Sequence, residues 1–263
     1  MNAEYAIIGG TGVYDPALLE DAERHTIETP YGPAEITLGT YAGKRVAFMP
    51  RHGYNHGVAP HKINYRANIR ALKEIGVHTV LATAAVGSLK EEYKPGDLVL
   101  VDDFIDMTKS RPLTYYEGAP EGVVHIDLSD AYCGRIRGHV RETAQEHGIE
   151  LVDGGIYVCT EGPRFETPAE IRMYAAWGGD VVGMTTVPEV ILAKESEMCY
   201  ATVGMITNYC AGIAPHPLTH QEVIDTMKDN VQKIRELFFR VIERGTGERT
   251  CACPHALAEL GSL

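Results

Sequence analysis

The stretch that decides the fold spans residues 153–170 and reads Asp153-Gly-Gly-Ile-Tyr-Val-Cys-Thr-Glu-Gly-Pro-Arg-Phe-Glu-Thr-Pro-Ala-Glu170. Its apolar part, Ile156 to Cys159, predicts a buried strand that ends at a Gly-Pro break. A helix is predicted to begin directly afterwards, because Thr167 can cap it, Pro168 suits its first turn and Glu170 completes the spacing of a capping box.

This arrangement holds Phe165 and Glu166 on a stiff loop at the carboxyl end of a strand. In open α/β sheets, ligands bind in the crevice outside the carboxyl ends of the strands. An apolar ring beside a carboxylate suits a flat heterocycle that carries an N–H donor. The alternative is a rigid corner in which Phe165 belongs to the core and Glu166 is solvated.

Alternating strands and helices along the chain predict an α/β sheet with helices on both faces. The stretches 34–41 and 44–49, with Gly43 between them, read as a hairpin, so the sheet is expected to be mixed. We therefore predict a single-domain mixed, twisted β-sheet flanked by helices over residues 1–248, with a short Cys-containing tail over 249–263. Further strands are predicted at 4–8, 77–83, 98–101, 180–183 and 203–207, and helices at 62–75, 129–147, 168–176, 188–196 and 219–243. The tail is expected to dock on a neighbouring subunit or to fray.

The net charge and the hydropathy of the chain argue against two classes of binding partner, nucleic acids and membranes. A net charge of −12 without a Lys/Arg stripe argues against binding to nucleic acid. No apolar run approaches the ~18–20 residues that span a bilayer, and the N-terminus has no basic segment typical of a signal peptide. We therefore expect a cytoplasmic protein with no membrane partner.

The six cysteines are too sparse for a disulfide scaffold, and none shows zinc spacing with histidine partners. A second candidate for metal binding is the loop that holds His52, His56 and His61, but no nearby carboxylate or cysteine completes a site. The sequence therefore predicts no metal.

Donor groups follow the ends of several predicted strands. Glycines after a strand let backbone N–H groups approach an anion closely. The segment Gly9-Gly-Thr-Gly12 fits this use, although a plain tight turn explains it equally well. Arg51 can bind an anion as a planar fork, and His52 as a donor or proton carrier. The junctions together carry Thr11, Arg51 with His52, Ala84 with Ala85 in a small-residue loop over 83–88, Phe165 with Glu166, Met184 with Thr185, and Asn208.

Considered together, these pieces resemble the trimeric-type purine nucleoside phosphorylase and methylthioadenosine phosphorylase family. The resemblance covers residues 9 to 208, nearly the whole domain. The matching segments are Gly9-Gly-Thr-Gly12, Arg51-His52-Gly53, Asn64-Tyr-Arg-Ala-Asn68, Gly87-Ser88, Glu161-Gly-Pro-Arg-Phe165, Met184-Thr-Thr-Val-Pro-Glu189 and Asn208.

The resemblance implies phosphorolysis, in which a purine nucleoside and phosphate give a free base and a pentose 1-phosphate without metal, cofactor or covalent intermediate. It implies that Asn208, His52 and Arg51 are catalytic. Phosphate would be held by Thr11, Arg51, His52, the backbone at Ala84 and Ala85, and Thr185. The nucleoside would be held by Phe165, Glu166, Met184, Asn208, Cys210, His220 and His125.

Two side chains indicate which purine is bound. The Glu166 carboxylate only accepts hydrogen bonds, so it suits the N1–H of a 6-oxopurine. Asn208 offers an N–H for O6 and a carbonyl for a protonated N7. Adenine-specific members of the family carry Ser at the Glu166 position and Asp at the Asn208 position, so this pair resembles the inosine/guanosine pattern.

The resemblance also implies features at the 5′ end and between subunits. His220 matches a position near the 5′-hydroxyl, where the alternative is an exposed first-turn histidine. His125 matches a position that reaches a neighbouring subunit's site, in a trimer or a dimer of trimers. Related chains carry a disulfide matching Cys133 with Cys199, for which the alternative is two buried free thiols.

Alternatives remain open. The nearest is a phosphorylase of methylthioinosine or methylthioadenosine, which shares the mechanism and differs in the base and the 5′ group. A non-catalytic purine-binding protein on the same scaffold predicts loss of the phosphate donors, yet Thr11, Arg51, His52 and Thr185 are all present. A Rossmann dehydrogenase is disfavoured, because its Gly-x-Gly-x-x-Gly spacing is absent.

Overall fold

A computed structural model describes residues 1–10, 13, 18–213 and 220–258, with only the backbone of 220–227 and 229. The strands of the described residues are β1 Tyr5–Gly9, β2 Glu20–Thr29, β3 Gly32–Tyr41, β4 Lys44–Pro50, β5 Thr79–Ser88, β6 Leu98–Leu100, β7 Asp103–Met107, β8 Val152–Asp153, β9 Ile156–Thr160, β10 Val181–Gly183 and β11 Cys199–Tyr209. The helices are α1 Tyr65–Glu74, α2 Gly134–Glu146, α3 Pro168–Ala176, α4 Thr186–Glu195 and α5 His220–Arg244.

All of these strands join one sheet, whose main path runs β2-β3-β4-β1-β5-β10-β9-β7. Strand β5 lies at its centre, parallel to β1 on one edge and to β11 on the other. The predicted hairpin is present as the antiparallel pair β3–β4, and β10 is antiparallel to β5. The sheet is therefore mixed, as the sequence predicts.

Helices cover both faces of the sheet. On β1, Ala6 and Ile8 join a buried cluster with α1 and α4, while Tyr5 and Ile7 join a second cluster with α2 and α5. Successive strand residues point to opposite faces, so a strand covered on both sides is apolar throughout. This layering confirms the predicted fold class. None of the helices in the described residues combines the length and apolarity that crossing a lipid bilayer requires.

The helix start predicted from the opening stretch is confirmed in detail. Thr167 is the N-cap of α3, and its side chain accepts a hydrogen bond from the backbone N–H of Glu170 at 3.3 Å. The Glu170 carboxylate accepts the backbone N–H of Thr167 at 2.8 Å, which closes the capping box. The rigid base of the loop that carries Phe165 and Glu166 is therefore built as the sequence indicates.

The secondary structure differs from the sequence-based prediction in several places. Strand β2 was not predicted, because it is a mostly exposed, polar edge strand without apolar alternation. The small-residue segment 83–88 is not a loop but the second half of β5. Likewise, Asn208 lies within β11 rather than after a strand. In both segments, sheet pairing overrides the weak strand preference of the local sequence.

The described part of the C-terminal tail docks on its own chain. Cys253 is 2% exposed and belongs to the buried cluster that also contains Cys133 and Ile136. All six cysteines lie in the described residues, and none is disulfide-bonded. The bridge that the resemblance implies between Cys133 and Cys199 is thus not formed, although both residues lie in one cluster of thiols.

Candidate active site

The candidate site begins at an opening in the sheet beside β5. β1 pairs with β5 as far as Ile8 opposite Ala82, and β10 pairs with the same edge at Gly87 and Ser88. Between them, no strand of the described part of the chain pairs with residues 83–86 on this edge, while β11 covers the other edge. Ala85 is consequently exposed in the middle of a central strand.

The alternation of peptide groups determines which donors face this opening. The carbonyl of Thr83 accepts a hydrogen bond from Arg51 Nη1 at 2.7 Å. The C=O group of Thr83 therefore points to the open edge, and so does the N–H group of the same residue. Because residues i and i+2 direct their N–H and C=O groups to the same edge, Ala85 faces the opening and Ala84 faces β11. The geometry therefore favours the N–H of Ala85 over that of Ala84 as a ligand donor.

A cavity of ≈ 1020 Å³ lies over this opening. Ligand pockets usually measure ~300–1,000 Å³, so the cavity has room for a nucleoside and an anion together. The predicted site residues that line it are Arg51, His52, Ala84, Ala85, Phe165, Glu166, Met184, Thr185, Asn208 and Cys210. The structure thus brings together groups that are up to 159 positions apart in the sequence, from Arg51 to Cys210.

Arg51 is held in a buried ion pair. Its Nε and Nη2 donate to the two carboxylate oxygens of Glu189, each at 2.7 Å. Tyr200 also donates to Glu189, at 2.6 Å. The planar fork expected to bind an anion therefore binds Glu189. Of the five guanidinium N–H groups, three are used in contacts with Glu189 and Thr83 among the described residues. The other two are available to a ligand.

His52 is neutral in this environment. Its Nδ1 lies 2.7 Å from the carbonyl oxygen of Val58. A carbonyl only accepts, so Nδ1 carries the hydrogen and Nε2 is an acceptor. Burial, with a smaller contribution from the nearby Arg51 charge, lowers the pKa of His52 to about 4, against the opposing effect of the Val58 hydrogen bond. Neutral His52 can therefore accept a hydrogen bond from a protonated phosphate oxygen.

Phe165 and Glu166 stand at the mouth of the cavity. Phe165 is 66% exposed, so the alternative that makes it a core residue is wrong. The half-buried Glu166 accepts a hydrogen bond from the Thr160 hydroxyl at 2.7 Å through Oε1. That contact orients the carboxylate and leaves further lone pairs for a ligand donor.

Asn208 is oriented by its neighbours. Its Nδ2 donates to the carbonyl of Tyr209 at 3.0 Å, which identifies the amide nitrogen, and its Oδ1 accepts from the Thr207 hydroxyl at 2.8 Å. Among the described contacts, one N–H and one lone pair of the amide remain. Gly87 makes this placement possible, since a Cβ there would lie 2.7 Å from Cys210 Sγ and 3.1 Å from Asn208 Nδ2.

Met184 and Thr185 follow β10 and form another wall. A Cβ on Gly162 would lie 2.6 Å from Met184 Sδ, so the methionine packs directly against the loop that leads to Phe165. The backbone N–H of Thr185 donates to the Tyr157 hydroxyl at 3.3 Å. These contacts tie the wall of the cavity to β9.

Three predicted site residues are not among the described residues that line the cavity. His125 is exposed and does not line it. Thr11 and the side chain of His220 lie outside the described residues. Their roles stay predictions.

Sequence reasoning missed Glu189, Thr207 and Arg111 as supporting groups. The buried Arg111 donates to the carbonyl oxygens of Thr160 and Val187 at 3.0 and 2.6 Å, and so fastens the long loop after β7 to β9 and α4. The only sequence signal was the length of that loop, which is typical of functional segments.

The chain belongs to the Phosphorylase superfamily, whose family profile matches residues 4–243. It is similar to the "Probable 6-oxopurine nucleoside phosphorylase" of Dictyoglomus turgidum, with 56% identity over 97% of this chain and 96% of that protein. It is also similar to the "S-methyl-5'-thioadenosine phosphorylase" of Hyperthermus butylicus, with 48% identity over 98% and 95% of the two chains.

Solved structures agree with this assignment. A methylthioadenosine phosphorylase from an antarctic soil metagenomic library matches with a TM-score of 0.92 and 33% identity, over 98% of this chain and 92% of that one.

Proposed function

We propose that the protein catalyses the phosphorolysis of purine nucleosides, with a preference for inosine and guanosine, in purine salvage. The observation that carries the proposal is the pairing of an accepting carboxylate, Glu166, with an amide, Asn208, that retains one donor and one acceptor. Relatives such as the "6-oxopurine nucleoside phosphorylase" of Pyrococcus furiosus, 50% identical over 96% of this chain and 97% of that protein, support it.

These two side chains would read the base. Glu166 would accept the N1–H of a 6-oxopurine, and the remaining N–H of Asn208 would donate to O6. Adenine presents an acceptor at N1 and a donor at the 6-position, so it would leave these groups unpaired. A buried polar group without a partner costs ~1–3 kcal/mol, which is enough to discriminate between the two bases.

The reaction breaks the glycosidic C–N bond and forms a bond between the anomeric carbon and a phosphate oxygen. The base leaves with the bonding electrons and takes up a proton from solvent at N7, and the free lone pair of Asn208 Oδ1 would accept a hydrogen bond from that N7–H. Phosphate, held by the remaining N–H groups of Arg51, by the N–H of Ala85 and by Thr11 and Thr185, would stabilise the cationic sugar. Catalysis would then rest on positioning and electrostatics, with no cofactor.

The 5′ end of the substrate separates this proposal from its alternative. Relatives of nearly equal similarity carry both kinds of name, including a "Probable S-methyl-5'-thioinosine phosphorylase" of Methanothermobacter thermautotrophicus that is 49% identical over 95% of this chain and 88% of that protein. We propose that His220 contacts the 5′-hydroxyl and that His125 serves a neighbouring subunit. A homotrimer or homohexamer in the cytoplasm is part of the proposal.

The test is phosphate-dependent release of base from inosine, guanosine, adenosine, methylthioinosine and methylthioadenosine, compared as kcat/KM. Inosine and guanosine are expected to lead. A lead for the methylthio compounds would contradict the role of His220, and equal rates for adenosine and inosine would contradict the role of Glu166 and Asn208.

Substitution of a residue proposed to bind the base makes this test more specific. Asn208→Asp removes the donor to O6 and is expected to lower kcat/KM for inosine by on the order of 10–100-fold, since a carboxylate then faces an acceptor. The matched control is Glu121→Gln, which changes an exposed carboxylate outside the cavity and should leave kcat/KM unchanged. An Asn208→Asp enzyme with the original preference would exclude this residue as the base reader.

A further inference from the structure

Four cysteines form a cluster at the end of the sheet opposite the cavity. The sulfur atoms of Cys133, Cys199, Cys251 and Cys253 all lie within 4.8 Å of one another. Three of the residues are buried, and Cys251 is half-buried. The set joins three separate parts of the chain: the N-cap of α2, the first residue of β11 and the C-terminal tail.

The spacing of the sulfurs suits one central ion. The sulfurs of Cys199 and Cys251 lie 3.4 Å apart, well beyond the ~2.05 Å of a disulfide bond. A tetrahedral zinc ion with Zn–S bonds of about 2.3 Å places its sulfur ligands about 3.8 Å apart. Four sulfurs within 4.8 Å of each other therefore have the dimensions of a tetrathiolate site.

Two arginine side chains lie next to the same sulfur atoms. Arg135 Nη2 lies 3.6 Å from Cys199 Sγ, and Arg135 also contacts the side chain of Cys251. The guanidinium of Arg249 donates to Cys199 as well. A zinc ion with four thiolates carries a net charge of −2, which two guanidinium groups balance. Disulfide sulfurs carry no charge that calls for such partners.

We propose that Cys133, Cys199, Cys251 and Cys253 bind one zinc ion. All-thiolate ligand sets select soft or borderline ions such as Zn²⁺ over Mg²⁺ or Ca²⁺. Four protein ligands leave no open position, so the site is structural rather than catalytic. Its effect is to fasten the C-terminal tail to α2 and β11.

The position of the cluster agrees with a structural role. Cys199 begins β11, whereas Asn208 in the cavity lies near its other end. Nine residues of strand at about 3.3 Å each separate them by roughly 30 Å. The sequence predicted no metal here, because the ligands come from three distant segments and only Cys251 and Cys253 are neighbours in the chain.

The first test is metal analysis of the full chain, purified under thiol reductant without added metal. We expect inductively coupled plasma mass spectrometry to find one zinc ion per chain. After zinc removal, titration of the reduced protein with Co²⁺ should give the thiolate-to-cobalt and tetrahedral absorption bands of a tetrathiolate site, with an end point at one ion per chain. A reduced chain that takes up neither Zn²⁺ nor Co²⁺ would overturn the proposal.

Cysteine substitutions inside and outside the cluster test where the ion is bound. The double variant Cys251→Ser, Cys253→Ser should lose the zinc and show a lower Tm, while Cys159→Ala, a buried cysteine outside the cluster, should keep the zinc. Zinc retained by the double variant would place the ion elsewhere and refute the assignment. Intact mass of the unreduced, metal-free chain showing two disulfide bonds, together with no zinc in the reduced chain, would also refute it.

Discussion

His52 shows what burial does to a single side chain. With a folded pKa of about 4 against ~6.5 in the unfolded chain, the unfolded state binds more protons throughout that interval. Stability therefore contains a contribution that is present above pH ~6.5 and is lost as the pH falls towards about 4.

We predict that His52→Gln makes this acid-side loss of stability shallower. The glutamine amide can still donate to the Val58 carbonyl but has no proton to gain. The measurement is the urea unfolding free energy of both proteins at several pH values between about 4 and 7. Burial also lowers the pKa of His78. Because both proteins contain His78, its contribution to the pH dependence cancels when the two are compared. Curves that run parallel would contradict the prediction.

At the level of single residues, sequence reasoning found the groups that point into the cavity but not those that hold them. Arg51, Glu166 and Asn208 are visible because they lie at or near strand ends and carry reactive groups. Glu189 binds Arg51 across 138 positions of sequence, and no local pattern signals that contact. Partners formed only by the tertiary fold cannot be read from neighbouring residues.

At the level of elements, α3 is the most predictable part of the site. Its capping box is a local device that needs no tertiary contact, so a few residues suffice to recognise it. The second half of β5 is the opposite case. Residues 83–88 are small and have weak strand preference, yet pairing with β11 along the whole segment makes them a strand.

We predict that Thr167→Ala destabilises the protein by about 1 kcal/mol, the usual loss for an N-cap side chain. The urea unfolding free energy measures it. Glu170→Gln is the matched variant: glutamine also completes a capping box, so this change should cost less, although it loses the charge that pairs with Arg164 at 2.7 Å. Equal losses for both variants would contradict the prediction and show that the ion pair contributes as much to the start of α3 as the cap does.

At the level of the whole molecule, the Arg51–Glu189 pair connects elements that are distant in sequence. Arg51 follows β4, Glu189 lies in α4, Tyr200 in β11 and the Thr83 carbonyl in β5. The layered architecture follows from the order of strands and helices, and the sequence predicted it. The contacts that cross the layers depend on which ends of which elements meet, and these were not predictable.

We predict that Glu189→Ala destabilises the protein by roughly 3–5 kcal/mol, because it leaves the Arg51 charge buried without a partner. The control is Glu117→Ala, which removes an ion pair of the same 2.7 Å length from the surface and should cost ~0–1 kcal/mol. Chemical denaturation measures both. Similar losses in the two variants would mean that burial of the pair does not matter to stability.

The part of the β5 edge with which no strand of the described residues pairs has a consequence for how the site tolerates genetic change. The N–H of Ala85 belongs to the main chain, so nearly every missense change at that codon leaves the donor in place. Only proline removes it. A binding surface made of peptide groups is thus shielded from most point mutations at its own positions, whereas a surface made of side chains can lose a donor through a single nucleotide change.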